Sequence, residues 1–161
     1  MELFNTYVRS SLEYASQVWN PCQIGEIDLV ESVQRRFTKR LPGLKHLSYP
    51  DRLKQLGLKS LELRRLHQDM ILTYKIMHGL VRVNRQHFFD LKSDRTRNNG
   101  LSIYKRKFRL NSTKNFFTNR VVNIWNSLPS KTVLAPNQKL FRKYLSTIDL
   151  SSFFKGRGLD V

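Results

Sequence analysis

The sequence has almost no residues that could form covalent or metal cross-links. Cys22 is its single cysteine, which excludes an internal disulfide and is typical of a reducing compartment. The histidines are His46, His67, His78 and His87. They lack the close pairing of a zinc site, and the chain has no second cysteine that could complete one. We therefore predict that the chain holds no metal.

Long apolar runs are also missing. No stretch approaches the length of a membrane-spanning helix, and the first residues lack the basic-then-apolar order of a signal peptide. These absences predict an intracellular protein, nuclear or cytoplasmic, that has no membrane partner.

Motifs that carry catalysis are absent as well. The sequence has no paired aspartates for two-metal chemistry, no G-x-S-x-G and no glycine-rich phosphate loop. Its only D-x-x-E joins Asp28 to Glu31. With Glu26, these acids lie at the start of a predicted helix, where they match the helix dipole. We therefore predict that the chain is not an enzyme and takes neither a cofactor nor a small-molecule substrate.

Acidic residues are scarce where basic ones are abundant. Between Asp94 and Asp149 there is no acid against 12 Lys and Arg, and the net charge of the chain is +17. A solvated surface normally mixes both signs, so this imbalance indicates an acidic partner. Nucleic acid, either RNA or DNA, is the most common partner of this kind, with an anionic membrane surface second.

Apolar residues recur at three- and four-residue spacing through most of the chain, which predicts a mainly α fold. The predicted helices lie within 3–20, 25–41, 49–56, 61–78, 113–128 and 136–148. The first should bury a stripe that includes Leu3, Tyr7, Val18 and Trp19. The glycines Gly25, Gly43, Gly57 and Gly79 separate the helices of the first half.

The polar segment 93–100, which ends in Asn99-Gly100, predicts a boundary. We expect a helical region over 1–92, a basic linker or hairpin over 93–110, a small basic helical tail over 111–150 and a frayed C terminus over 151–161. The loose alternation of 101–110 predicts a short extended segment or hairpin arm.

Two basic clusters are the candidate phosphate-binding surfaces. The first comprises Arg35, Arg36, Lys39 and Arg40, and the second comprises Arg95, Arg97, Lys105, Arg106, Lys107, Arg109, Lys114 and Arg120. We expect the first to bind more weakly, because Glu26, Asp28 and Glu31 on the same helix soften its field.

Aromatic residues are interleaved with the second cluster. Phe116, Phe117 and Trp125 have helical spacing and are expected in the core. Tyr104 and Phe108 fit two interpretations equally well, burial in the core or stacking on unpaired bases.

Three segments, which follow one another in the same order as in the family, resemble one family of proteins. They are "YVRSSLEYASQVWNP" (7–21), "DLVESVQRRFTKRLPGL" with "LSYPDRLKQLGLKSLELRR" (28–65), and "FFTNRVVNIWNSLPSKTVLAPNQKLFRKYL" (116–145). Together they resemble the carboxy-terminal region of non-LTR retrotransposon reverse transcriptases, in the jockey-like and chicken-repeat groups of LINE elements. The resemblance covers about residues 3–150.

The resemblance implies a thumb-like helical bundle followed by a tail that handles template and primer. The RNA-directed DNA polymerase activity of that family depends on a Y/F-A-D-D block that has no counterpart here. We therefore expect a fragment that binds nucleic acid without the catalytic palm or the endonuclease. The alternative is a protein-interaction or non-functional remnant of the same family.

Overall fold

The computed structural model of the chain describes residues 2–92, 100–107 and 111–156. These residues are mainly helical, which confirms the predicted fold class. In chain order they form a π-helical segment, Phe4–Arg9, then α1 (Ser10–Glu13), α2 (Ser16–Trp19), α3 (Ile24–Lys39), α4 (Tyr49–Leu56), α5 (Leu61–Met77), α6 (Arg85–Phe88), α7 (Asn111–Lys114), α8 (Phe117–Ser127), α9 (Ser130–Val133), α10 (Gln138–Leu145) and a 3-10 turn, Ser151–Phe153.

The chain forms two compact units that differ from the predicted domains. The first unit comprises Met1–Leu66 with Leu150–Val161, and the second comprises His67–Asp149. The expected boundary at 93 falls inside the second unit, because residues from both sides of it share one core. Tyr74 of α5 stacks on Phe141 of α10, with 4.4 Å between the ring centroids.

The N-terminal helix is not the single amphipathic helix that the sequence predicts. Its first turns are π-helical, and Ala15 interrupts it with a φ of +49°. Phe4 is buried and stacks on Phe37 of α3 at 4.1 Å. The rest of the expected stripe, including Leu3, Tyr7 and Val18, is exposed. The segment is helical, as its spacing predicts, but most of its apolar side stays exposed within the described part of the first unit.

Polar contacts anchor α3 in the first unit. The buried carboxylate of Glu31 accepts hydrogen bonds from the Tyr49 hydroxyl and from two backbone N–H groups at the start of α5, those of Leu61 at 3.0 Å and Glu62 at 3.3 Å. Gln34 donates to the Tyr49 hydroxyl at 3.0 Å. Glu31 therefore caps α5 from a distant helix, and burial raises the pKa of its carboxyl.

The C-terminal segment is docked rather than frayed as far as residue 156. Leu150 is buried, and Phe154 packs against Tyr49 and Leu53. The carboxylate of Glu62 accepts hydrogen bonds from the backbone N–H groups of Lys155 at 2.8 Å and of Gly156 at 3.1 Å. The expectation of a frayed end is therefore wrong for 151–156, and 157–161 lie outside the described residues.

The second unit has the aromatic core that the spacing of α8 predicts. Trp125 is 1% exposed and lies 6.2 Å from Phe141, measured between ring centroids. Tyr74 donates its hydroxyl hydrogen to the backbone oxygen of Ala135 at 2.7 Å. Asp69 of α5 and Arg120 of α8 form an ion pair at 2.8 Å beside this core. Helices α5, α8 and α10 are thereby joined.

An antiparallel backbone pairing lies in the second unit, within the range 101–110 for which a short extended segment or hairpin arm is predicted. Leu91 and Ile103 form an antiparallel bridge. Two backbone hydrogen bonds flank it, from Lys92 N–H to Ser102 at 3.0 Å and from Tyr104 N–H to Asp90 at 2.7 Å. Ile103 is buried, whereas residues 104–107 are exposed. Residues 104–107 follow the bridge and belong to no regular secondary-structure element; we refer to them, for their direction of travel from it, as the basic strand.

Candidate nucleic-acid interface

The first basic surface is concave and lies at the C-terminal end of α3. A cavity of about 600 Å³ is lined by Arg36, Lys39, Arg40, Leu41, Pro42, Gly43 and Lys45, which we call the α3 concavity. All four of its cationic side chains are exposed. Within the described part of the chain, none of the lining residues is acidic. This arrangement suits a polyanion, because several positive charges converge on one hollow.

Local sequence chemistry builds this surface. Arg36 and Lys39 belong to the last turn of α3, where cations complement the helix dipole. Gly43, with a φ of +77°, turns the chain so that Lys45 returns to the cavity. Lys45 was not among the predicted binding residues, since it lies beyond the helix and only the turn brings it close.

Arg35 does not line the concavity. Its guanidinium lies 5.2 Å from the centroid of the Tyr49 ring, and its side chain is half-buried. Arg52 approaches the same ring at 5.5 Å. We therefore assign Arg35 a packing role, because a cation over an aromatic ring is partly withdrawn from solvent.

Two of the three acids that were expected to weaken this surface are engaged in contacts of their own. The buried Glu31 carboxylate of α3 accepts from backbone N–H groups at the start of α5, and Glu26, in the first turn of α3, closes a capping box with Gln23. Glu26 precedes Arg40 by fourteen residues, which is about 20 Å along a helix. The Debye length at physiological salt is about 8 Å, so the softening expected from Glu26 is screened.

The basic strand is the second surface. Tyr104, Lys105 and Lys107 are exposed. The Arg106 Nε atom donates to Asp90 Oδ2 at 2.6 Å, and both side chains remain about half exposed. This hydrogen bond lowers the pKa of Asp90. The exposure of Tyr104 excludes the core interpretation and leaves its ring open to stacking.

The support of the basic strand comes from the dipeptide Trp125-Asn126. The Trp125 Nε1–H donates to the backbone oxygen of Leu101 at 2.9 Å. Asn126 pairs with both backbone groups of Ile103, accepting from its N–H at 2.9 Å and donating to its oxygen at 2.8 Å. Asn126 was missed in the sequence, because a polar residue beside a core tryptophan resembles an ordinary solvated helix position.

Arg120 is a correction to the predicted interface. Its Nε and Nη2 atoms donate to the two carboxylate oxygens of Asp69 at 2.8 and 2.9 Å, and its Nη1 atom donates to the backbone oxygen of Asn115 at 3.1 Å. Its guanidinium also lies over the Phe117 ring. This geometry uses the guanidinium to join α5 and α8, so we leave Arg120 out of the interface.

Of the remaining predicted residues, some lie within the described ranges and others lie outside them. Lys114 is exposed at the end of α7. Phe116 is 61% exposed, so its predicted burial is wrong; it stands at the N-cap of α8, before the buried stripe begins. Phe117 is half-buried, and the burial of Trp125 is confirmed. Arg95, Arg97, Phe108 and Arg109 lie outside the described residues.

Within the described ranges, the His, Cys, Asp and Glu side chains form no group of three or more that could hold a metal ion. No helix in these ranges is long and apolar enough to span a membrane.

The chain matches no protein-family model, and neither the curated proteins nor the solved structures give a significant match. The two basic surfaces and the resemblance of the three sequence segments therefore remain as the features that bear on function.

Proposed function

We propose that this protein is a nucleic-acid-binding helical module related to the carboxy-terminal region of non-LTR retrotransposon reverse transcriptases, without an active site of its own. The observation that supports this proposal best is the α3 concavity. Arg36, Lys39, Arg40 and Lys45 surround one hollow, and no acid lines it within the described residues. A phosphate backbone supplies the repeated negative charges that such a surface would neutralise.

The basic strand supports the same function in a different way. Tyr104, which is 51% exposed, lies next to its three cations. Aromatic rings beside cations are typical of surfaces that bind single strands, because each unpaired base offers a face for stacking. Under this proposal the concavity contributes phosphate contacts alone, and the strand contributes phosphate contacts and stacking.

Catalysis is not part of the proposal. The resemblance assigns polymerisation to a palm with paired aspartates, and this sequence has no such pair. We propose that the module binds RNA or DNA through phosphate contacts, without a cofactor.

A salt series tests the proposal. The affinity of the purified chain for single-stranded and duplex oligonucleotides should fall linearly with salt on a log–log plot. The variant Arg36→Gln, Lys39→Gln, Arg40→Gln, Lys45→Gln should reduce the slope by about three, because each lost phosphate contact removes roughly 0.7 to 0.9.

A matched control variant also loses four positive charges, so its total charge equals that of the test variant. Lys54, Arg82, Lys139 and Lys143 are exposed and lie outside both surfaces, and their replacement by Gln should change the slope much less. Equal slopes for the two variants would show that binding depends on net charge alone. A parent chain that does not bind either oligonucleotide would overturn the proposal.

The protein-interaction alternative has one observation in its favour. Leu3 is 75% exposed and Val18 is 87% exposed, and Tyr7 and Tyr14 are exposed on the same N-terminal segment. Several large apolar side chains in solvent are typical of a surface that another protein covers. This alternative gains if the chain does not bind nucleic acid and Leu3→Ser with Val18→Ser leaves it folded.

A further inference from the structure

The extended segment that ends in the basic strand has hydrogen-bonding partners on both of its edges. On one edge, Ser102 and Tyr104 pair with the backbone of Lys92 and Asp90. On the other edge, the side-chain amide of Asn126 takes the place of a neighbouring strand and pairs with the N–H and the oxygen of Ile103. The second edge is therefore closed at Ile103 by a single side chain.

This closure fixes the register of the segment. Successive side chains in a strand point to opposite faces, so a slip by one residue would exchange them. In the observed register Ile103 is 1% exposed and Tyr104 is 51% exposed. A slip would move Ile103 into solvent and Tyr104 inward, and it would also displace the cations that follow.

An asparagine suits this position better than its close relatives. The contact needs one donor and one acceptor at the end of a short side chain, and a primary amide supplies both. Aspartate retains the acceptor for the Ile103 N–H, but its second oxygen would face the Ile103 oxygen. Serine offers a single atom, and alanine offers none.

We propose that Asn126 is a positioning residue that holds Tyr104, Lys105, Arg106 and Lys107 in the register in which they contact nucleic acid, with Trp125 fixing the start of the segment through Leu101. This inference rests on the proposed function. Under this inference, Asn126 contributes to binding although it does not itself touch the nucleic acid.

Two readouts on Asn126→Ala and Asn126→Asp test it. The first is amide hydrogen exchange, in which Ile103 N–H should exchange at least about tenfold faster in the alanine variant, because its partner is lost. The aspartate variant should lie between alanine and the parent, since it keeps one of the two bonds. Leu145→Ala is the control, because it lowers stability from a buried site on α10 without removing a partner of Ile103.

The second readout is the salt dependence of oligonucleotide binding. Asn126→Ala should reduce the log–log slope by up to about two, as the strand cations lose their alignment. In a chain that already carries Lys105→Gln, Arg106→Gln and Lys107→Gln, the alanine change should have no further effect on binding. Leu145→Ala should leave the slope unchanged at temperatures where the variant is folded.

The outcomes separate the two proposals. Unchanged exchange at Ile103 would show that the Asn126 hydrogen bonds do not hold the segment, and this overturns the positioning role whatever the binding data show. Faster exchange with a parental slope shows that Asn126 is structural only, and this overturns the positioning role. A parent chain that does not bind at all overturns the proposed function, and the positioning role fails with it.

Discussion

The two basic surfaces carry similar charge but are built differently. The α3 concavity is formed by the end of one helix and the turn after it, within Arg36–Lys45, so neighbours in sequence place its cations. The basic strand is held by residues of α8 that lie more than twenty positions away, such as Asn126 against Ile103. A surface of the first kind depends on backbone conformation, and one of the second kind depends on a distant side chain.

The largest test of this difference uses the two tryptophans. Trp125→Ala should destabilise the protein by about 3–5 kcal/mol, because it removes a buried aromatic and leaves the Leu101 oxygen without its donor. Trp19→Ala is the control: Trp19 is 40% exposed and bonds only locally, to the Tyr14 oxygen. Its cost should be about 1 kcal/mol.

Urea unfolding followed by circular dichroism measures both variants. Equal losses of stability would mean that the long-range support of the strand is no more important than a local contact. The comparison between the two surfaces would then lose its basis.

The second prediction concerns the long-range support beneath α3. Glu31→Ala should cost about 3 kcal/mol, because it leaves the N–H groups of Leu61 and Glu62 and the Tyr49 hydroxyl without their acceptor. Glu26→Ala, on the exposed start of the same helix, should cost about 1 kcal/mol as a weakened cap.

Thermal unfolding of the two glutamate variants should keep that order. If Glu26→Ala proves the more damaging, the buried cap on α5 contributes little, and local capping accounts for the stability of α3.

The same residues show which parts of the fold can be predicted from the sequence and which cannot. The helix over 49–56 was predicted with the observed bounds, because Pro50 starts it and Gly57 stops it through purely local chemistry. The buried stripe of α8 was predicted for the same reason. The long-range contacts of Glu31 and Asn126 were not predicted, because their partners are distant and a polar residue on a helix normally faces water. Glu31 was expected at a dipole-matched helix start, whereas it lies within α3 and accepts from the first N–H groups of α5.

The exposed N-terminal stripe shows that the correct periodicity does not guarantee burial. Periodicity indicates which residues share a side of a helix, but it does not supply the element that covers that side. Leu3 and Val18 therefore satisfied the pattern and remained exposed. The docked tail at 151–156 was missed because Glu62, which binds it, lies some ninety residues earlier.

The third prediction separates backbone from side-chain support in the α3 concavity. Gly43→Ala should destabilise the protein by about 1 kcal/mol, since a φ of +77° is strained for alanine. Gly25→Ala should have the opposite sign and stabilise α3 by a few tenths of a kcal/mol, because Gly25 lies within the helix and a Cβ there meets nothing within 4 Å.

Both glycine variants should then enter the oligonucleotide salt series. Gly43→Ala should flatten the slope, since the turn that carries Lys45 changes. Gly25→Ala should leave the slope at the parental value. If Gly43→Ala keeps the parental slope as well, Lys45 is not a contact and the concavity is smaller than the structure indicates.

The smallest expected effect concerns Asp90, an acid that pairs with Arg106 of the basic strand. Asp90 binds Arg106 Nε at 2.6 Å, and a phosphate that approaches Arg106 must compete with it. Asp90→Asn removes that competition while keeping the side-chain shape, so binding at low salt should strengthen and the slope should steepen by at most about 0.9, the contribution of one phosphate contact. Asp51→Asn, at the start of α4 in the first unit, removes the same charge without removing a partner of Arg106 and should have little effect. An unchanged slope for Asp90→Asn would mean that Arg106 stays out of the interface, and that the basic strand binds through Lys105 and Lys107 alone.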